Sequence, residues 1–258
     1  MTTPSHTHLV LIPSYNTGPK LASTVREARQ FWAPVWIVVD GSTDGSEVPV
    51  LQMAAQDPQI KVLVLPQNQG KGAAVLHGLV AAQAAGFTHA LTMDSDGQHP
   101  SVQIPEFMAA SLSHPSALVL GKPVFDASAP FERVAGRKLS NGAAHLETLW
   151  AGIGDSLYGM RVYPIIPLRE VMEASPWMRR FDFDPEVAVR LCWKGLQPIN
   201  IDSPVRYFKA AEGGVSHYHY VRDNILITSM HARLLAGFLL RLPMLLWRRM
   251  AAESARSA

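Results

Sequence analysis

Four short runs, two wholly apolar and two nearly so, each stop at a polar or glycine-rich loop within the first hundred residues. Residues 9–12 end at Pro13-Ser14-Tyr15-Asn16, and residues 35–39 at Asp40-Gly41-Ser42-Thr43-Asp44-Gly45. Residues 61–65 lead to Gln67-Asn68-Gln69-Gly70-Lys71-Gly72, and residues 90–93 to Asp94-Ser95-Asp96-Gly97-Gln98-His99-Pro100. Runs this short and apolar read as buried strands. Between them lie segments of helical spacing. Residues 18–31 carry Leu21, Val25 and Ala28 on one side, 48–55 are a weaker helix, and 73–85 and 102–112 follow. Residues 117–120 are a fifth strand. This alternation predicts an α/β fold with a mostly parallel, doubly wound sheet. Ligands of such sheets gather outside the carboxyl ends of the strands, so the four loops should converge.

Composition bounds the class. With 48% apolar and 17% charged residues among 258, disorder, collagen and coiled coil are excluded. The single cysteine, Cys192, allows no intramolecular disulfide and fits a reducing compartment. The polar start, residues 1–8, lacks the basic and apolar regions of a signal peptide. Residues 72–93 contain no Asp, Glu, Lys or Arg, but Gly86, Thr88 and His89 divide them into a helix and a strand rather than one membrane span. After Gly121 the alternation fades. Residues 122–136 read as a loop, 137–150 as an amphipathic helix, 158–163 as a strand, 184–193 as a helix, and 197–207 as containing a strand.

Charge is uneven. Residues 222–258 hold six arginines against Asp223 and Glu253, a net +4, which leaves −2 for residues 1–221 out of +2 overall. A nucleic-acid binder would spread more basic charge over a face, so no nucleic-acid partner is expected. Arginines mixed with leucines point to an anionic membrane surface. The arginines interrupt the apolar stretch too often for a good transmembrane helix. Pro243 should break or kink it, giving two amphipathic helices with Trp247 and the arginines at headgroup level; a helix packed on the protein's own core or on a partner is the other reading. The expected division is a catalytic domain over 1–221, with a donor half (1–122) and an acceptor half (123–221), and a basic membrane-associating tail over 222–258.

Asp94-Ser95-Asp96 is the centre of the chemistry. Two carboxylates two residues apart, just past a buried strand, offer hard oxygen ligands suited to Mg²⁺ or Mn²⁺. Gln98 adds a carbonyl oxygen from the same loop. By itself an Asp-x-Asp pair is also a common solvated turn. Asp40 can accept a hydrogen bond from a base or ribose. Lys71, between two glycines, can set a point charge on a diphosphate where backbone approach is close. The Gly70-Lys71-Gly72 stretch is not a P-loop, since the first Gly and the Ser/Thr after Lys are missing.

Together the four loops resemble the family 2 glycosyltransferases, in particular the branch of dolichyl-phosphate mannosyltransferase. The stretches that carry the likeness are Leu11-Ile12-Pro13-Ser14-Tyr15-Asn16, Val38-Val39-Asp40-Gly41-Ser42-Thr43-Asp44-Gly45, Asn68-Gln69-Gly70-Lys71-Gly72-Ala73-Ala74 and Met93-Asp94-Ser95-Asp96-Gly97-Gln98-His99-Pro100. The resemblance implies a glycosyltransferase A-type fold. It also implies an inverting, metal-dependent transfer of a sugar from a UDP- or GDP-sugar to a lipid-linked acceptor, polyprenyl phosphate or another apolar molecule. It assigns Pro13, Tyr15, Asn16 and Asp40 to the nucleoside, Lys71 to the diphosphate, and Asp94, Ser95, Asp96 and Gln98 to the sugar-nucleotide and metal. Val39 stands where the family often has a second acid, which leaves the base open. Catalytic candidates are Asp184, placed ahead of Gly195 as the base is in many members, and Glu186, nearer the acid of the polyprenyl-phosphate branch. Asp184 reads equally well as a helix cap before Pro185. Arg161, in Gly159-Met160-Arg161, matches a stretch that supports an acceptor or phosphate, or else is a buried structural arginine. A histidine from a C-terminal loop completes the metal site in some relatives, which makes His217 the candidate here, or else it is a loop or core histidine. A peripheral enzyme on the cytoplasmic face of the membrane follows. A nucleotidyltransferase and a non-catalytic nucleotide-sugar-binding protein are the alternatives.

Overall fold

The computed structural model describes residues 3–125, 131–205 and 220–257. In chain order the elements are β1 (His8–Ser14), α1 (Lys20–Phe31), β2 (Val35–Asp40), α2 (Glu47–Gln56), β3 (Ile60–Leu65), α3 (Lys71–Ala84), β4 (His89–Thr92) and α4 (Ile104–Ser113). Then come β5 (Leu118–Val124), α5 (Phe131–Glu147), β6 (Arg161–Pro164), α6 (Ile165–Glu173), α7 (Phe183–Lys194), β7 (Pro198–Pro204) and α8 (Tyr220–Ser257).

The strands form one sheet in the order β3-β2-β1-β4-β6-β5-β7. β1, β2, β3 and β4 are parallel, β6 runs antiparallel to both its neighbours, and β7 pairs parallel with β5. Every residue of β1 and β2 is buried, as continuous apolar runs at the middle of a two-faced sheet require. Alternate side chains serve opposite faces. Leu9, Leu11 and Val38 join the core under α3, α6 and α7, while Val10, Ile12, Ile37 and Val39 join Leu21, Val25 and Ala28 of α1 on the other side. Gly78 lets α3 lie directly on β1, because a Cβ there would come 2.6 Å from Leu11 Cδ1. The order reverses between β1 and β4, and that switch point sets the cleft.

Three expectations change in the second half. The loop over 122–136 is in part strand and helix, since β5 runs to Val124 and α5 starts at Phe131; residues 126–130 lie outside the described set. α6 was not foreseen, because Pro167 masks the pattern, yet proline in a first turn gives up only an N–H that has no helical partner. The tail is one helix, α8, rather than two, with Pro243 inside it. Proline removes one hydrogen bond, and Phe238 and Leu245, buried on either side of it, hold the helix in line.

The arginines of α8 also lie elsewhere than expected. Arg233 meets Glu186 of α7 at 3.2 Å, Arg241 stacks over Trp193 at 4.8 Å, and Arg248 donates to the Trp193 carbonyl at 2.6 Å. They face the protein, beside the buried Met230, Leu234, Phe238 and Leu245, because α7 supplies a carboxylate, an aromatic ring and a carbonyl there. His231 joins α8 to α5 through Glu147 and Ser140, both at 2.9 Å. Ile225, Leu239, Leu240, Trp247 and Met250 occupy the opposite side and are all more than half exposed. By length and composition Arg222–Ala251, 30 residues that include an 18-residue window of mean hydropathy 1.4, is long and apolar enough to cross a membrane.

Candidate active site

The loops after β1 and β2 are stapled together before any ligand is considered. Asn16, at φ 45°, donates its N–H to Ser42 Oγ at 3.0 Å and accepts from Thr43 N at 2.8 Å. Gly18 N donates to Asp44 Oδ2 at 2.8 Å. Pro13 is buried within β1 opposite Val38, and Tyr15 sits half-buried at the strand's exit. Ser95 ties the acidic loop to this base. Its hydroxyl bonds Thr17 Oγ1 at 2.8 Å, and its carbonyl accepts from Thr24 at 3.1 Å.

Asp40 is 2% exposed, and its carboxylate is spent on the loop before α3. It accepts from Asn68 Nδ2 at 2.9 Å, Gln69 N at 2.9 Å and Gly70 N at 2.7 Å. The structure thus gives Asp40 a definite task, which is to fix the backbone that carries Lys71. The glycines beside Lys71 have a local cause too. Gly70 has φ 100°, and a Cβ on either Gly70 or Gly72 would run into the backbone carbonyls of Arg179 and Met178. Gly72 N donates to the Arg179 carbonyl at 2.8 Å. The close approach foreseen for a diphosphate is already made by the protein's own chain.

Lys71 opens α3 and reaches across the cleft. Its ammonium lies 2.7 Å from Asp94 Oδ1 and 2.6 Å from Asp184 Oδ2. Gly159 closes this junction, since a Cβ there would stand 2.8 Å from Lys71 Nζ and 2.9 Å from Asp94 Oδ2. Burial would raise the Asp94 carboxyl, but the charge of Lys71 outweighs it and holds the group low. Burial first, and the neighbouring Asp94 charge second, push the Asp96 carboxyl up. The pair therefore crowds negative charge at one end, a donor set that a divalent cation would relieve. Asp96 Oδ1 accepts from Gln98 N at 3.0 Å, which folds the loop back on itself. His99 accepts from Asp94 N on Nδ1 at 3.0 Å, so its proton sits on Nε2, facing Asp94 Oδ2 at 3.6 Å. Burial keeps this imidazole neutral, down to about 4. Among the described residues no group of three or more His, Cys, Asp and Glu is gathered to hold a metal. His217 lies outside them. The donors that fit Mg²⁺ or Mn²⁺ are Asp94 and Asp96, with Gln98 in the same loop.

The acceptor-side candidates separate clearly. α7 begins at Phe183, with Asp182 at the cap position and no side-chain capping bond, so Asp184 lies inside the first turn and does not cap it. Its Oδ2 meets Lys71, and its Oδ1 is buried without a hydrogen-bond partner. Glu186, two residues on, points about 200° around the helix. It is fully buried among Trp177 Nε1 at 2.9 Å, Arg190 at 2.7 Å and Arg233 at 3.2 Å. Arg161 is also fully buried. It donates to the carbonyls of Tyr158 at 2.6 Å, Ser156 at 2.7 Å and Asp184 at 2.6 Å. It buttresses the first turn of α7, in keeping with the reading of a buried structural arginine. His99, Gly159 and the Met178–Arg179 backbone were not singled out. His99 is written in the acidic loop, and Gly159 beside Arg161, but nothing in their spacing shows what they touch.

The family model described as Glycosyl transferase family 2 matches residues 9–165. Polyprenol monophosphomannose synthase of Mycolicibacterium smegmatis is 30% identical over 178 residues, 66% of this chain and 64% of that protein. Dolichyl-phosphate beta-glucosyltransferase ALG5C of Trichomonas vaginalis is 28% identical over 207 residues, 69% of this chain and 58% of that protein. The chain thus spans less than two thirds of the length of either relative. Glucosyl-3-phosphoglycerate synthase from Mycobacterium tuberculosis, in complex with Mn²⁺, UDP-glucose and phosphoglyceric acid, superposes with a TM-score of 0.59 at 16% identity, covering 92% of this chain and 79% of that one. Mannosyl-3-phosphoglycerate synthase from Rubrobacter xylanophilus gives 0.59 at 16% identity, over 92% and 75%. At such identity these two structures speak for the fold alone.

Proposed function

The chain belongs to glycosyl transferase family 2 and has the glycosyltransferase A-type fold, and from that premise we propose an inverting, metal-dependent transfer of a sugar from a UDP- or GDP-sugar to a lipid-linked acceptor. The observation that carries this reading is the Asp94–Lys71–Asp184 chain across the switch-point cleft. It brings a donor-side acid and an acceptor-side acid onto one phosphate-seeking cation.

Breaking the bond from the sugar C1 to the diphosphate puts positive charge on the sugar and negative charge on the leaving group. A divalent cation held by Asp94 and Asp96, with Gln98 beside them, would supply charge neutralisation for that diphosphate. Lys71 binds the same group as a point charge on a flexible stem. Asp40 keeps Lys71 in register through the loop before α3. Asp184 stands on the opposite side, where an acceptor O–H would lose its proton, and Arg161 fixes its backbone. Pro13, Tyr15 and Asn16 line the neighbouring mouth of β1, where the nucleoside would lie.

The outward side of α8 is taken to lie on a bilayer. It carries no charged residue between Ile225 and Met250, a length of roughly 39 Å at 1.5 Å per residue. With Arg233, Arg241 and Arg248 turned inward, contact would be chiefly apolar, with Trp247 at the interface. A lipid acceptor gives such attachment its use.

A donor panel with Mg²⁺ or Mn²⁺, following release of UDP and GDP, tests the reading. One nucleotide sugar should be hydrolysed slowly without acceptor, and Asp94→Asn should abolish both that turnover and metal-dependent nucleotide binding. Unchanged transfer in Asp94→Asn and Asp96→Asn would refute the mechanism.

A further inference from the structure

Lys71 is asked to do two things at once. As an ammonium it is shared between Asp94 at 2.7 Å and Asp184 at 2.6 Å. Asp94 belongs to the donor side, at the end of β4, and Asp184 to the acceptor side, in the first turn of α7. Lys71 supplies the one hydrogen bond that the Asp184 carboxylate receives among the described residues, because Oδ1 is buried with no partner. Gly159 leaves room on that flank for the ammonium and no more. The Asp184 backbone is held independently by Arg161 at 2.6 Å, so the first turn of α7 does not depend on Lys71 for its place.

We propose that Lys71 is a latch on Asp184: it masks the acceptor carboxylate while no donor is bound, and a nucleoside diphosphate releases that carboxylate by drawing Lys71 onto itself. The inference rests on the glycosyltransferase reading and adds an order of events to it. A diphosphate offers several anionic oxygens to one ammonium and competes directly with a single carboxylate oxygen. Once freed, Asp184 takes the proton of the acceptor O–H. The acceptor oxygen then bonds to the sugar C1, and the C1–O bond to the diphosphate breaks with its electron pair left on the diphosphate. Lys71, already there, shares that charge. Before the donor arrives, the carboxylate is paired and no base is exposed.

The latch makes a prediction that a simple base does not. Removing the carboxylate leaves Lys71 held by Asp94 alone, so a nucleotide has one partner fewer to compete with. UDP and GDP binding with Mn²⁺ is measured by calorimetry on the full chain, for the wild type, Asp184→Asn, Asp184→Ser, Lys71→Met and the Lys71→Met/Asp184→Asn double variant. The two Asp184 variants are made in parallel so that a folding failure of one leaves the other to decide. Each should bind the preferred nucleotide about tenfold tighter than the wild type, within the usual range of coupling between sites. Lys71→Met should bind it more weakly, and adding Asp184→Asn to it should change nothing further. Equal or weaker binding by both Asp184 variants would overturn the latch alone. A wild type that binds neither nucleotide would overturn the nucleotide-sugar reading and the latch with it.

Discussion

Asparagine at position 40 separates two roles for Asp40, holding the loop before α3 or reading the nucleoside. The native carboxylate accepts three hydrogen bonds of 2.7–2.9 Å from Asn68, Gln69 and Gly70, and it is 2% exposed. An amide has one oxygen where the carboxylate has two. In its better orientation it keeps the pair on Oδ2, from Asn68 and Gly70, and turns an N–H₂ towards Gln69 N, donor against donor. At least one charge-assisted bond is lost and one buried donor is left unsatisfied, together about 2–3 kcal/mol. For a chain of this size, each kcal/mol moves the midpoint by roughly 2–4 °C. Asp40→Asn should therefore melt roughly 5–10 °C lower by circular dichroism. The loop that carries Lys71 should loosen as well, so both UDP and GDP should bind more weakly by calorimetry while their ratio stays the same. A variant that melts like the wild type but shifts its preference between the two bases would refute this reasoning and return Asp40 to the nucleoside.

Gly159→Ala forces a methyl to within 2.8 Å of Lys71 Nζ and 2.9 Å of Asp94. Initial rates should fall by about a hundredfold or more, as expected when reacting groups are displaced by about an ångström, and an unimpaired rate would show that the junction has slack. His8 stacks on His89 at 4.3 Å, and burial first, then the His89 charge, holds its imidazole down to about 4. The folded chain keeps His8 neutral, while the unfolded chain protonates below its ordinary value near 6.5. Stability should be complete above pH 6.5 and decline as pH falls from 6.5 towards 4. His8→Gln should flatten part of that decline in melts between pH 8 and 4, and His99, held down in the same range, should keep the rest. An identical slope in the variant would count against the assignment. Leu240→Glu and Trp247→Glu, on the exposed side of α8, should lower co-sedimentation with lipid vesicles without lowering the melting temperature. Undiminished co-sedimentation would reject the bilayer contact.

What could be read directly from the chain was the part whose causes are local. β1 and β2 are apolar at every core position because both faces of a central strand are covered, and such runs announce themselves. Asp94 and Asp96 follow β4 where a switch-point ligand would lie. Lys71 was marked by its glycines, though the reason differs: they admit the backbone of Met178 and Arg179, which comes from far along the chain. Likeness to a family stretch marks Arg161 as an acceptor or phosphate contact, with a buried structural arginine as the other reading. Its partners are carbonyls, which leave no trace in side-chain patterns. The tail arginines fall on one side of a helical wheel, but a wheel does not say which side meets the protein. That was decided by Glu186 and Trp193 of α7. The reversal of β6 depends on a turn between distant segments and was equally out of reach.

The grip of α8 on α7 has a mechanical consequence. One helix presents Asp184 at its first turn and, two turns later, a ring and a carbonyl clasped by Arg241 and Arg248. Whatever surface α8 rests on is thereby joined to the chemistry by a short rigid strut, with Glu186 and Arg233 as its bolt. The tilt and height of the cleft over that surface are built into the molecule, so anything carried on it would meet Asp184 from one direction.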